Sequence, residues 1–245
     1  MKTFFKLFPA GCLVLIAPAL MMGNAYVYST PTGSLDPGGS GQTVSASASF
    51  TTNPNGTVDI TLSNLLSASQ MISAAQLLSD LSFSMNNSLT SGSISTSSES
   101  KLSVASDGTS SAAGSGPVGW ALTNTGAGTF HLDGLVGDSN NQASGTIIGG
   151  TAGNSYPNAN NSIAGNSAHN PFAASTANFT LSIAGVTSST VITSAIFSFG
   201  TVSGNNVTGC LNGTCSPVPE PSSSAFLLGA LMLGFLAYRK KFGTA

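Results

Sequence analysis

Few residues in this chain could support catalysis. His131 and His169 are its only histidines, and no G-x-S-x-G turn occurs. A Ser-His-Asp triad would need one of them beside an Asp and an exposed Ser. His131 lies in the stretch Phe-His-Leu-Asp, where a strand histidine ordinarily faces solvent or a neighbouring strand. We therefore predict no catalytic residue and no enzymatic activity.

Acidic residues suggest two further kinds of chemistry. Asp133 and Asp138 could bring two carboxylates into one turn, but the acidic spacing and closing Glu of an EF-hand are absent. A solvated turn is the alternative. Glycoside hydrolysis needs two carboxyl groups roughly 5–10 Å apart across a cleft, and Glu99 is the only Glu between residues 26 and 217. We predict no metal and no cofactor, and keep a secreted hydrolase as the second alternative function.

Two cysteines, Cys210 and Cys215, flank the tetrapeptide Leu-Asn-Gly-Thr. In an oxidising compartment this spacing favours a disulfide. Closing so short a loop would restrict the unfolded chain by about 2 kcal/mol. Free thiols and a metal site are the alternatives, and a metal site would need additional donors.

The charge distribution excludes one class of partner. Charged residues make up only 6% of the chain, and between residues 26 and 217 Lys101 is the only Lys or Arg. The acidic residues in that region are Asp36, Asp59, Asp80, Glu99, Asp107, Asp133 and Asp138. Binding to duplex nucleic acid depends on Lys and Arg side chains that neutralise phosphates. We therefore predict no nucleic-acid partner.

The first 25 residues have the pattern of a secretory signal peptide. A basic start is followed by an apolar stretch and by small residues at Gly23 and Ala25. We predict a signal helix that is cleaved between Ala25 and Tyr26. The remainder of the chain is therefore exported.

The C-terminal segment 217–245 has the composition of a membrane anchor. Residues 222–238 contain no charge, and their apolar part has no polar stripe of the kind that a core helix shows. Arg239, Lys240 and Lys241 follow directly, as expected for a cytoplasmic helix end. We predict a transmembrane helix over 222–238 that anchors the precursor in the inner membrane.

The same segment begins with Val218, Pro219, Glu220 and Pro221. This motif, the apolar helix and the basic cluster 239–241 together resemble the PEP-CTERM sorting signal of exported proteins from Gram-negative bacteria that form biofilms and exopolysaccharide. The resemblance implies processing by an exosortase, which cuts near the motif, and a final location at the cell surface or outside the cell.

Residues 26–216 form the predicted exported domain. Short alternating segments such as 44–50, 57–62 and 179–183, separated by Gly, Asn and Ser, favour an all-β, jelly-roll-like β-sandwich. Ser73 with Gln76 forms a capping box, which predicts one short helix over 73–80. Residues 107–117 are expected to be a flexible loop, and residues 149–172 a ligand-contact loop or a structural excursion.

These features lead to a functional prediction. We expect a non-enzymatic surface or extracellular-matrix protein associated with exopolysaccharide, because a neutral surface rich in hydroxyl and amide groups can hydrogen-bond hydrated polymer. The alternative is a carbohydrate-binding module, which would present clustered aromatic residues such as Trp120 and Tyr156. Exposed rings would favour the module, and facing carboxylates would favour the hydrolase.

Overall fold

The computed structural model describes residues 23–135, 145–213 and 215, and nearly all of the regular secondary structure in this part of the chain is β-strand. The strands are β1 Asn24–Ser29, β2 Ala46–Thr52, β3 Thr57–Asn64, β4 Leu78–Met85, β5 Gly92–Val104, β6 Ser110–Gly116, β7 Ala121–Gly126, β8 Thr129–Asp133, β9 Ile147–Ile148, β10 Phe172–Ile183, β11 Ile192–Phe199, β12 Asn206–Thr208 and β13 Cys210–Leu211. The all-β prediction is confirmed. The sandwich and jelly-roll details remain predictions.

The predicted helix over 73–80 is wrong in extent. The capping box of Ser73 and Gln76 is present, but the helix is a single 3₁₀ turn, Ala74–Gln76, and a second such turn covers Ala68–Gln70. Leu78 already belongs to β4. β4 pairs with β11 on one side and with β8 and β9 on the other, and these pairs satisfy the hydrogen-bonding groups of its backbone. Tertiary pairing therefore overrides the local helix signal.

One hydrogen-bonded sheet contains every strand of the described chain. Its main path runs β12-β11-β4-β9-β10-β3-β2-β1-β13, with the β5–β6 and β8–β7 pairs branching from β10 and β4. β12 and β13 lie at opposite ends of this path, although only Gly209 separates them in sequence. Its amide donates to the carbonyl of Ala195 in β11. The segment 206–211 thus brings the two ends of the sheet together.

The main core lies on the inner face of this folded sheet. Val58, Ile60 and Leu62 of β3 alternate with exposed or half-buried polar residues, as the sequence pattern predicts. The rings of Phe50 and Phe83 are 5.3 Å apart, although β2 and β4 are not neighbours in the sheet. Distant strands therefore share one hydrophobic interior.

A second, smaller core forms beneath the long segment 149–171. Its buried members include Leu102, Tyr156, Ile163 and Phe172. Tyr156 donates to the carbonyl of Gly149 at 2.9 Å, so its polar end is satisfied inside the protein. Part of this segment therefore has a structural role, and its contact with a ligand remains a prediction.

The structure can also be compared with the predicted loop at 107–117 and with the predicted terminal helices. The predicted flexible loop at 107–117 is wrong, because residues 110–116 form β6 and pair with the second half of β5. Among the residues that the structure describes, no helix has the length and apolar character needed to cross a bilayer. Residues 1–22 of the predicted signal helix and the predicted transmembrane helix at 222–238 lie outside the described residues, whereas Asn24 and Ala25 belong to β1.

Candidate functional site

The outer face of five adjacent strands carries a regular array of small polar side chains. One row runs across β2, β3, β10 and β5 through Ser49, Thr61, Asn178 and Ser98, which the strand register places opposite one another. A parallel row contains Thr51, Asp59, Thr180 and Thr96. A third joins Ser29, Ser47, Ser63 and Thr176. With strands about 4.8 Å apart, β1 to β5 spans about 19 Å.

Cross-strand hydrogen bonds orient this array. The Thr61 hydroxyl donates to Asn178 Oδ1 at 3.0 Å, and the Thr180 hydroxyl donates to Asp59 Oδ1 at 2.7 Å. Because these bonds order the side chains before any ligand arrives, less rotamer entropy is lost on binding.

A groove runs along the part of this face formed by β3, β10 and β5. One depression of about 280 Å³ is lined by Asp59, Thr61, Thr96, Ser98, Asn178 and Thr180, with backbone between them. A neighbouring depression of about 320 Å³ shares Ser98 and Asn178 and continues to Ser100, Ser115 and Thr176. We call this combined surface the polar groove. Most of its lining residues carry hydroxyl or amide groups, and two carry carboxylates, Asp59 and the buried Glu99.

Two aspartates and a histidine meet elsewhere, where β4 pairs with β8. Asp80 lies directly opposite Asp133, and His131 lies two residues before Asp133 on the same strand. His131 Nε2 is 4.0 Å from Asp80 Oδ1, and one donor atom from each residue lies within 4.8 Å of the other two. We call these three residues the Asp–His–Asp cluster. Asp138, the predicted neighbour of Asp133, lies outside the described residues.

Burial determines the protonation behaviour of this cluster. Asp80 is 1% exposed, and its burial raises its pKa to about 7. A hydrogen bond with Asp133 and repulsion by that carboxyl group act in the same direction, whereas the Gly134 amide, which donates to Asp80 Oδ1 at 3.1 Å, lowers the pKa. Sequence reasoning missed Asp80 because it placed this residue in a helix.

Glu99 is a buried carboxylate with a different partner. It lies opposite Ala177 in β10 and therefore shares the inner face with that buried residue. Lys101 Nζ is 3.2 Å from Glu99 Oε1, and apart from this ion pair neither Glu99 oxygen has a hydrogen-bond partner among the described residues. Burial raises the pKa of Glu99, and Lys101 opposes this shift.

The structure excludes the aromatic platform considered from sequence. Trp120 is 6% exposed and packs against Phe179 in the main core, whereas Tyr156 is 1% exposed in the second core. Both rings pack in the protein interior. His169 is also used structurally, since its Nδ1 lies 2.6 Å from the carbonyl oxygen of Ser162.

The predicted cysteine pair lies at the end of the described chain. The structure joins Cys210 to Cys215 by a disulfide, with Cα atoms 4.9 Å apart. Cys210 begins β13, which pairs with Ser29 and Tyr28 of β1. The link thus lies at one end of the sheet, immediately before the C-terminal tail.

The predicted processing sites are only partly within the described residues. Ala25 and Tyr26 lie in β1, opposite Thr51 and Phe50 of β2. Cleavage between them would leave Tyr26–Ser29 to pair with β2. Val218, Pro219, Glu220, Pro221 and the basic cluster 239–241 lie outside the described residues.

Comparison with known proteins identifies the tail. Residues 217–241 match the family model of the PEP-CTERM protein-sorting motif. The C-terminus of this protein is a PEP-CTERM sorting signal. No curated protein and no solved structure matches the chain. The PEP-CTERM signal makes the protein an exported exosortase substrate that is anchored in the membrane by its C-terminal tail before processing.

Proposed function

We propose that this PEP-CTERM protein is a non-enzymatic component of the cell surface or extracellular matrix and that it binds neutral exopolysaccharide. The polar groove is the observation that carries this proposal. Its hydroxyl and amide groups can donate and accept hydrogen bonds with the hydroxyl groups of a sugar polymer. The open groove can accommodate a chain without enclosing its end.

The composition of the groove favours a neutral ligand. Its two charged lining residues, Asp59 and the buried Glu99, are both acidic, so a strongly anionic polymer would gain no ion pair and would meet repulsive charge. The single basic residue in the exported domain, Lys101, is engaged with Glu99. Neutral polysaccharide is therefore the ligand class that matches this chemistry.

The positions and contacts of the carboxyl groups argue against hydrolysis. A retaining glycosidase places its carboxyl groups about 5–5.5 Å apart beside an open sugar site. Asp80 and Asp133 are in direct hydrogen-bonding contact, and Asp80 is 1% exposed. Asp59, in the groove, is held by Thr180 and Asn53. These contacts support a binding role without bond cleavage.

The test is binding of the mature protein to the neutral polysaccharide fraction of its host's matrix. We expect Thr61→Ala and Asn178→Ala each to weaken binding about 5-fold, since a lost hydrogen bond costs on the order of 1 kcal/mol. Thr125→Ala is the matched control, because Thr125 is an exposed strand threonine on β7 and is not among the residues that line the groove. Affinity should persist at about 1 M NaCl, where screening is nearly complete.

Two results would overturn the proposal. One is the absence of binding by the wild-type protein to any neutral matrix fraction. The other is an equal loss of affinity in the Thr125→Ala control and the groove variants. Release of reducing sugar ends by the wild-type protein would replace the non-enzymatic proposal with the hydrolase alternative.

A further inference from the structure

The Asp–His–Asp cluster combines two donor types in a small volume. Asp80 and Asp133 contribute carboxylate oxygens and His131 an imidazole nitrogen, and these donor atoms lie within 4.8 Å of one another. All three residues are held on paired strands, with Asp80 opposite Asp133 and Ser82 opposite His131. The backbone positions of the donors are therefore set by the β4–β8 ladder, whose hydrogen bonds leave little freedom.

The two carboxyl groups of the cluster require a neutralising charge. Two carboxyl groups are in contact, and one of them is almost fully buried. Placing like charges together in a buried position is costly unless a proton or a cation neutralises them. Lys101 is the only Lys or Arg between residues 26 and 217, and it pairs with Glu99 at 3.2 Å. Among the residues that the structure describes, His131 is the remaining group beside the cluster that can carry a positive charge; a bound proton or a cation from solution are the other means of neutralisation.

The donor set selects among cations. Ca²⁺ and Mg²⁺ prefer six or more oxygen ligands, whereas a mixed set of imidazole and carboxylate suits Zn²⁺ and neighbouring transition metals. We propose that Asp80, His131 and Asp133 form a binding site for a divalent transition-metal cation of the Zn²⁺ type, which clamps β8 to β4. This departs from the absence of a metal site that the sequence led us to expect.

The distances fit this proposal after a small movement. Tetrahedral ligands about 2.0 Å from Zn²⁺ lie about 3.3 Å apart. His131 Nε2 and Asp80 Oδ1 are 4.0 Å apart, and the widest separation in the cluster is at most 4.8 Å. Side-chain rotations of His131 and Asp133, which are both half-buried, can close a gap of about 1.5 Å. The 23% exposure of the His131 side chain leaves a route by which a cation can enter from solvent.

The experiment is a titration of the purified mature protein with Zn²⁺, Mn²⁺ and Ca²⁺ after treatment with a chelator. Calorimetry measures stoichiometry and affinity, and thermal unfolding reports stabilisation. We expect one Zn²⁺ per chain and weaker or no binding of Ca²⁺. Asp80→Asn, His131→Gln and Asp133→Asn should each reduce Zn²⁺ affinity at least tenfold. Circular dichroism of each variant establishes that the sheet is intact.

Two control variants make the result specific. His169→Gln removes the other histidine of the chain, and Asp59→Asn removes an exposed carboxylate outside the cluster. Both should retain wild-type Zn²⁺ binding. Absence of saturable binding in the wild-type protein would overturn the proposal and leave a shared proton as the means of neutralisation. An equal loss of affinity in the two controls would overturn it as well. Polysaccharide binding through the polar groove is measured separately and does not depend on this outcome.

Discussion

Replacing Lys101 with Met should destabilise the exported domain through Glu99, and the size of the effect can be worked out from the structure. At 3.2 Å, with an effective dielectric constant of about 20, the ion pair has a Coulomb energy of about 5 kcal/mol. The Lys101 side chain is one-third exposed, with a relative accessibility of 33%, and solvent therefore screens part of this attraction. We expect Lys101→Met to lower the free energy of unfolding by about 2–4 kcal/mol at pH 7.5.

The pH dependence of this loss follows from the direction of the Glu99 shift. Burial raises the pKa of Glu99, and Lys101 opposes that increase, so removing Lys101 should raise the pKa further. A carboxyl group whose pKa is higher in the folded state favours folding below its unfolded pKa. This stabilisation is lost as the pH rises through the folded pKa. The cost of Lys101→Met should therefore be small near pH 4.5 and largest at pH 7.5.

Urea unfolding followed by fluorescence measures this effect, because Trp120 is the only Trp and is buried. Glu99→Gln should change stability by less than about 1 kcal/mol, since the charged oxygens have no other hydrogen-bond partner in the described chain. The double variant Glu99→Gln/Lys101→Met should recover most of the lost stability. Ser100→Met is the matched control for adding an exposed Met on the same strand.

The reasoning about the buried charge would be refuted by either of two results. The first is a cost of less than about 1 kcal/mol for Lys101→Met at pH 7.5. The second is a cost that stays the same between pH 4.5 and pH 7.5, because that would assign the effect to lost side-chain packing.

Three further predictions concern sorting, the disulfide and the core. Replacing residues 219–221 with alanine should block processing in the native host, seen as a larger, membrane-bound product; unchanged size and release would contradict this role. Thiol labelling of the mature protein should find Cys210 and Cys215 protected, and Cys210→Ser/Cys215→Ser should cost about 2 kcal/mol; two reactive thiols would exclude the bond. Phe83→Ala should cost about 3–5 kcal/mol in chemical unfolding, because this fully buried ring packs between two other core phenylalanines; a loss below about 1 kcal/mol would place the ring outside the core.

The strands with strict alternation were predictable because their pattern is local. Val58, Ile60 and Leu62 face the core as the period of two requires. β6 was missed because its Ser, Ala and Gly residues carry no such pattern. It forms a strand because β5 provides a hydrogen-bonding partner. At Ala74–Gln76 the sequence predicted too much helix. The capping signal is correct, but the helix is a single 3₁₀ turn because the residues from Leu78 onward pair with neighbouring strands as β4.

Among the candidate sites, the tail could be predicted from neighbouring residues, whereas the other sites depend on strand pairing. The chemistry of the tail follows directly from residue order, since a motif, an apolar run and a basic cluster lie next to one another in sequence. The Asp–His–Asp cluster could not be found in this way, because Asp80 and Asp133 are 53 residues apart and meet only through the β4–β8 register. The polar groove likewise depends on the register between β3, β10 and β5.

The sequence alone determined that this protein carries a PEP-CTERM sorting signal and that its exported part is an all-β domain with very little charge. Short-range patterns contain that information, because a sorting tail and a strand period are each read over a few neighbouring residues. Tertiary structure alone decided that Trp120 and Tyr156 are buried, that Glu99 is buried opposite Ala177 of β10 and that two aspartates meet a histidine. Those outcomes depend on which strands pair and in which register, and strand pairing joins residues that are far apart along the chain.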